Sequence, residues 1–144
     1  SHMDVLRLCF DSWCRLATQP VIPRKRDFDV TRMPYAVWPS LFLLEAFDRG
    51  RQFRYKVVGT RIVQTLGVDV TGALAPAWCC SEDADMAEET YRLVTMTGQP
   101  DLMMSRVHDR RFLGYTRLAL PLAGDNGQTT HILGAVDFYT LPVD

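Results

Sequence analysis

The sequence lacks a hydrophobic run long enough to cross a bilayer, and it contains no internal repeat and no low-complexity segment. A membrane span needs about 18 consecutive apolar residues. Hydrophobic residues make up 47% and charged residues 23% of the 144 residues, which is typical of a soluble globular chain. We therefore expect one domain with a single core and no membrane partner.

The chain also has little net charge, formally −1, and only one short basic run. That run, Arg24-Lys25-Arg26, is followed by Asp27 and Asp29. Proteins that bind nucleic acids neutralise phosphate groups with concentrated Lys and Arg side chains. We therefore expect no nucleic-acid partner, and we interpret the basic run as part of a solvated loop.

Cysteine and histidine are few and are not spaced for chemistry. The four cysteines do not form a disulfide framework, because Cys79 and Cys80 are adjacent rather than in a C-x-x-C pattern, and the histidines form no ligand cluster. No secretory segment is evident, so we expect a cytoplasmic protein without a metal site. Residues 1–3 resemble the remnant of an expression tag, and the chain could be complete or an excised domain.

Residues 4–20 are predicted to form an N-terminal amphipathic helix that stands apart from the core at 21–144. Apolar side chains recur there at helical spacing, and prolines follow the segment. The apolar stripe could pack on the rest of the chain, or it could bind a second copy or another protein. Bulky aromatic side chains are typical anchors of such interfaces. The candidate interface residues are Leu6, Phe10, Trp13 and Leu16.

The remainder of the chain shows strand and helix patterns in alternation. "FRYKVV" at 53–58 has the period of a half-buried strand, Thr60 is expected to cap a short helix that ends at Gly67, and a longer helix is predicted from Ser81 to Gly98. We predict an α+β fold with one five-stranded antiparallel sheet and its helices on one face. The predicted strands cover residues 40–47, 53–58, 100–108, 112–122 and 129–139.

The order and spacing of these segments resemble a bacterial, alphaproteobacterial-type PAS subfamily with the pattern "FRYRLVGTRIVEALGRDLTG", then "TG.P" and "RYERLLLPL". The resemblance covers roughly residues 30–140 and departs at Thr116, where the family often has Glu. The corresponding stretches are "FRYKVVGTRIVQTLGVDVTG" from Phe53, "TGQP" from Thr97 and "GYTRLALPL" from Gly114. The resemblance implies a PAS fold and a non-catalytic sensory or protein-interaction role in bacterial signalling. The implied partner is a signalling kinase or a second copy of the chain that binds through the N-terminal helix.

The resemblance does not identify a cofactor, since PAS modules hold haem, flavin, small metabolites or nothing. Flavin is disfavoured because Cys79 and Cys80 lack the flanking Asn, Arg and Gln of the light-sensing class. Haem is disfavoured because the longer helix contains no histidine that could be an axial ligand. His108 and His131 are expected on strands, where a solvated imidazole is the simpler interpretation.

A small-molecule pocket between the sheet and the helices is the better-supported expectation, because such pockets are apolar with a few converging polar groups. Arg117 is the most informative residue, since a buried guanidinium needs an acidic partner from the chain or from a ligand. The same residues could equally pack a filled core. The candidate ligand-binding residues are Tyr55, Trp78, Tyr91, Met104, Tyr115 and Arg117.

Two other functions are compatible with the sequence. One is a small α+β enzyme of the isomerase or dehydratase type with a buried Asp as general base, for which Asp137 and Asp69 are the residues to examine. The order of strands and helices disfavours this hypothesis. The other is a structural adaptor with a filled core and no ligand.

Overall fold

The computed structural model describes residues 2–17, 21–78, 81–106 and 111–140. Short 3₁₀ helices at Lys25–Asp27, Val30–Arg32 and Tyr35–Ser40 connect the first helix to the sheet. The helices are α1 His2–Leu16, α2 Thr60–Leu66 and α3 Ser81–Thr97. The strands are β1 Leu41–Phe47, β2 Gln52–Val58, β3 Asp101–Ser105, β4 Gly114–Ala123 and β5 Thr129–Tyr139.

Within the described residues, the five strands form one antiparallel sheet in the order β2-β1-β5-β4-β3. The first hairpin, β1–β2, therefore joins the last three strands through the pairing of β1 with β5, as the sequence predicted. Strand β5 starts and ends where it was expected. Strand β4 begins two residues later than predicted, and β3 is shorter, with the predicted end at 107–108 outside the described residues.

The turn of the first hairpin has an unusual backbone. Asp48, Arg49 and Gly50 have φ angles of 50°, 58° and 77°, which is the left-handed region. Asp tolerates this region better than most residues, and Gly adopts it without cost, whereas Arg does not. The chain reverses here within a few residues and thereby places β2 on the outer edge of the sheet.

The start of α2 differs from the expectation that Thr60 caps it. Gly59 is the N-cap and makes no side-chain bond, whereas Thr60 is the first helical residue. A Cβ atom on Gly59 would lie 2.3 Å from the carbonyl oxygen of Pro39, so only glycine allows this close approach. Gly67 ends α2 with a φ of 76°, as predicted.

Alternation along the strands divides the buried residues into two groups on opposite faces of the sheet. The inner cluster lies under α2 and α3, and it comprises Phe42, Leu44, Phe53, Tyr55, Ile62, Leu66, Val70, Ala75, Trp78, Ala87, Tyr91, Val94, Met103, Phe112, Tyr115, Ala119, Ile132, Val136 and Phe138. The outer cluster lies under α1, and it comprises Leu6, Cys9, Met33, Val37, Leu41, Leu43, Leu118, Leu120, Leu122, Leu133 and Ala135. None of the helices in the described ranges has the length and apolar character of a membrane span.

Candidate functional site

Four of the six candidate ligand-binding residues are aromatic, and all four lie in the inner cluster. Tyr55 and Trp78 have ring centroids 5.4 Å apart, and both contact Phe42 edge-on. The hydroxyl of Tyr55 accepts a hydrogen bond from the backbone N–H of Ala77 at 3.2 Å. Tyr55 on the sheet thus holds the loop that carries Trp78 and precedes α3.

Arg117 is the largest fully buried side chain in the described part of the chain, with 1% of its surface exposed. Its Nη2 donates to Asp101 Oδ2 at 3.0 Å and to Thr90 Oγ1 at 2.9 Å. Its guanidinium carbon lies 4.9 Å from the centre of the Tyr91 ring, which is a cation–π distance. An acid of the chain itself therefore pairs with Arg117, and Arg117 holds α3 on the sheet.

A second polar contact joins α3 to the sheet near the start of the helix. Tyr115 donates through its hydroxyl to Asp83 Oδ2 at 3.2 Å, and the hydroxyl of Ser105 donates to the same oxygen. Asp83 and Asp101 were not among the predicted site residues. Asp101 could have been found, because it shares the period-2 face of Met103 on β3, but its contact with Arg117 depends on how β3 pairs with β4.

Two buried N–H groups on the side of the sheet that α2 and α3 cover have no hydrogen-bond acceptor in the part of the chain that the structure describes. They are Nε1 of Trp78 and Nη1 of Arg117. A buried donor without an acceptor costs about 1–3 kcal/mol. Both groups could donate a hydrogen bond to a polar ligand.

Met104 does not belong with the other five candidates. It lies on the outer face of β3 with 65% of its surface exposed, because its position alternates with those of Met103 and Ser105, which face inward. The sequence interpretation placed it in the pocket. The structure places it on the solvent side, so Met104 is not part of an inner site.

Helix α1 packs on the outer face of β4 and β5. Leu6 is 3% exposed within the outer cluster, and Nε1 of Trp13 donates to the carbonyl oxygen of Pro121 at 2.8 Å. Leu16 is half-buried, whereas Phe10 is 38% exposed and stacks on Trp13. Of the four candidate interface residues, Leu6, Trp13 and Leu16 are at least partly buried, whereas Phe10 lies at the surface.

Neither of the two candidate general bases lies in the inner cluster. Asp69 is exposed, and hydrogen bonds from the side chain and backbone N–H of Thr71 lower the pKa of its carboxyl group, which makes it a weaker base. Asp137 is 3% exposed and lies on the outer face, directly across from Thr116. The hydroxyl of Thr116 shares a hydrogen bond with that of Tyr139.

The cofactor interpretation depends partly on residues outside the described ranges, namely Cys79, Cys80 and His108, so the low expectation for flavin and haem stays a prediction. His131 is half-buried, and Thr130 Oγ1 lies 2.8 Å from its Nδ1. Among the described residues, no three or more His, Cys, Asp or Glu side chains are grouped as metal ligands.

Comparisons with known proteins agree with the fold. Among curated proteins, none matches the chain. The solved PAS domain of Bordetella pertussis BvgS superposes with a TM-score of 0.56 at 16% identity, covering 74% of this chain and 80% of that one. A fungal LOV domain photoreceptor superposes with a TM-score of 0.53 at 13% identity, covering 96% of this chain and 99% of the photoreceptor chain.

The family follows from the sequence match, which includes α1 as well as the sheet. A sequence model of the PAS domain family matches residues 2–137. The five-stranded antiparallel sheet with its covering helices agrees with that match. The chain therefore belongs to the PAS domain family.

Proposed function

We propose that the chain is a non-catalytic sensory module of bacterial signal transduction that acts in the cytoplasm and transmits its signal by protein contact through α1. One observation carries the proposal: consecutive residues of strand β4 contact helices on opposite faces of the sheet. Arg117 lies in the inner site under α3, and Leu118 lies in the outer cluster under α1. A change in how Arg117 is bonded therefore acts on the strand that supports α1.

The packing of α1 supports a two-state mechanism. Leu6 and Trp13 contact the sheet, so a partner gains access to them only when α1 leaves it. Phe10 is already exposed and could make the first contact. A signal then shifts the population between a docked and an undocked helix, by no more than its difference in affinity for the two states. The partner would be a signalling kinase or a second copy of the chain.

The inner cluster supports sensing of a small polar molecule. Nε1 of Trp78 and Nη1 of Arg117 are buried donors that a ligand oxygen could satisfy, and a carboxylate is the natural partner of a guanidinium. The aromatic side chains around them are of the type that lines such pockets. A ligand there would compete with Asp101 and Thr90 for Arg117, which connects binding to the position of α3.

Native mass spectrometry of freshly purified protein tests the sensing step. We expect a reproducible extra mass that disappears when the protein is denatured, and that is reduced in Arg117→Met. If the native mass equals the chain mass in repeated preparations from different growth conditions, the module does not sense a resident ligand. The structural adaptor with a filled core would then replace the sensor.

A second experiment tests whether release of α1 from the sheet leads to dimerisation, without altering the helix itself. Leu133 on β5 is 2% exposed in the outer cluster, so Leu133→Ala should weaken the docking of α1 and raise the molar mass in light scattering towards that of a dimer. Leu74→Ala is the matched control, because Leu74 is 54% exposed. Adding Trp13→Glu should return the Leu133→Ala protein to the monomer. An unchanged mass together with faster hydrogen exchange in α1 would exclude the homodimer as the output.

A further inference from the structure

A cavity of about 800 Å³ lies at one end of the sheet and contains none of the buried residues of the inner and outer clusters. Its walls are the turn between β1 and β2, the last turns of α3 and the loop between β4 and β5, with Ile22 from the connector. Small-molecule sites typically have volumes of about 300–1,000 Å³. The cavity is therefore large enough for a ligand of metabolite size.

The charged side chains that line the cavity are all positive. Arg49, Arg51 and Arg92 line it, and no Asp or Glu among the described residues does. Arg92 is already engaged, because it pairs with Glu88 and its Nε donates to the backbone carbonyl of Arg51 at 3.1 Å. Arg49 and Arg51 are exposed and have no carboxylate partner among the described residues. Two guanidinium groups therefore remain available to an anion.

The turn that carries these two arginines is held in place. Gly50 lies between them with a φ of 77°, and a Cβ atom there would lie 2.9 Å from Cγ2 of Thr95 on α3. The bond from Arg92 to the carbonyl of Arg51 fixes the same turn on the same helix. Because the backbone is fixed, less conformational freedom is lost when the arginines bind a ligand.

The remaining walls are suited to the uncharged part of a ligand. Phe47 and Ile22 are partly buried there, and Met96 is 75% exposed. Thr129 also lines the cavity and is partly buried. The C-terminal end of α3 carries a partial negative charge, which orients an anionic group away from it and towards the hairpin.

We propose that this cavity binds a small organic anion, with its carboxylate or phosphate group at Arg49 and Arg51 and its apolar part against Phe47 and Met96. The site is separate from the inner cluster. It therefore goes beyond the proposed function and does not depend on it. A ligand here would bridge the first hairpin, α3 and the β4–β5 loop.

Isothermal titration calorimetry with three probes tests the proposal on the full chain. 2-Naphthyl phosphate carries both the anionic and the apolar part, inorganic phosphate only the first, and 2-naphthol only the second. We expect 2-naphthyl phosphate to bind at least about tenfold more tightly than either fragment, because each part adds its own contacts. Raising the salt concentration should weaken its binding, since the contact with the arginines is between charges at the surface.

Variants locate the binding. Arg49→Gln and Arg51→Gln should each reduce the affinity for 2-naphthyl phosphate by about tenfold or more, as expected for a charge-assisted hydrogen bond. Arg61→Gln removes the same charge from an exposed position on α2 and should leave the affinity unchanged. The proposal is overturned if 2-naphthyl phosphate does not bind, if 2-naphthol binds equally well, or if Arg61→Gln weakens binding as much as the other two. Arg117→Met, which alters the inner site, should not change binding of this probe.

Discussion

Gly134 on β5 lies directly across from Phe42 on β1, and the Phe42 ring occupies the space that a side chain at Gly134 would fill. A Cβ atom built on Gly134 would lie 2.0 Å from Cζ of Phe42. Phe42 in turn contacts Tyr55 and Trp78 edge-on. The absence of a side chain at one position of the central strand therefore allows the aromatic packing of the inner cluster.

Gly134→Ala should destabilise the protein by about 1–3 kcal/mol, because the added methyl group overpacks a filled core. Urea unfolding followed by fluorescence would measure the loss. Reducing the ring in the double variant Phe42→Leu, Gly134→Ala should recover part of it, since the leucine leaves space for the methyl group. If the double variant is less stable than the sum of the two single changes predicts, the Phe42 ring is not what excludes a side chain at Gly134.

The pair of Arg117 and Asp101 should contribute strongly to stability, although Asp101 is partly exposed. Asp101→Asn removes the negative charge that pairs with the buried guanidinium, and we expect a loss of about 2–3 kcal/mol, below the range for a fully buried pair because solvent screens Asp101. Chemical denaturation measures the loss.

The matched background for this test is Arg117→Met, which removes the buried charge. In that background Asp101→Asn should cost less than about 0.5 kcal/mol, because no guanidinium is left without its acid. Equal costs of Asp101→Asn in both backgrounds would mean that the acid does not stabilise the arginine.

His131 should make stability depend on pH in the mildly acidic range. Burial lowers the pKa of its imidazole, and the positive charge of Lys25 lowers it further. Glu45, whose Oε2 lies 3.8 Å from Nε2 of His131, raises the pKa but does not reverse the net direction. A folded-state pKa below the unfolded value means that the unfolded chain binds the proton more readily. Stability then falls as the pH decreases through about 6.5, the ordinary pKa of histidine.

His131→Gln should flatten this part of the pH profile. Thermal unfolding at a series of pH values between 7.5 and 5 would compare the two proteins, and we expect their stability profiles to diverge below about pH 6.5. We expect the original chain to lose more stability than the variant as the pH falls. A steeper decline in the variant would contradict the sign of the pKa shift.

Much of the fold was predictable because the patterns are local. Strand β5 and the end of α2 at Gly67 were predicted correctly, because period-2 alternation and a helix-ending glycine depend only on residues that are close in sequence. The capping of α2 was misassigned because the residue at its start is set by the approach of Pro39, a contact from another element. Sequence spacing carries no information about that approach.

The site was predicted less completely than the fold. The buried aromatic residues and Arg117 followed from their types, but the partner of Arg117 depends on the pairing of β3 with β4, and Asp83 depends on how α3 lies on the sheet. Met104 was included among the pocket candidates, although it is exposed, because a short strand of mixed residues shows no clear alternation. The side of the sheet that a short strand exposes is decided by its partners.

Cys9 offers a direct measure of whether α1 leaves the sheet. Its side chain is fully buried, and burial raises the pKa of its thiol to about 12, whereas Cys14 on the same helix is exposed. The thiolate is the reactive form, so iodoacetamide at pH 8 should label Cys9 on the order of a hundredfold or more slowly than Cys14. Peptide mass spectrometry resolves the two positions, and Cys14 is the internal control for reagent and time.

Leu133→Ala should accelerate the labelling of Cys9 by about tenfold or more and leave that of Cys14 unchanged, because it weakens the packing under α1, whereas Cys14 is exposed in both proteins. Leu74→Ala should alter neither rate, since its side chain is exposed and does not belong to the outer cluster. Labelling in urea should make the two cysteines equal and thereby set the upper limit. If Cys9 reacts as fast as Cys14 in the unaltered chain, α1 is not held on the sheet, and its exposure cannot be the step that a signal controls.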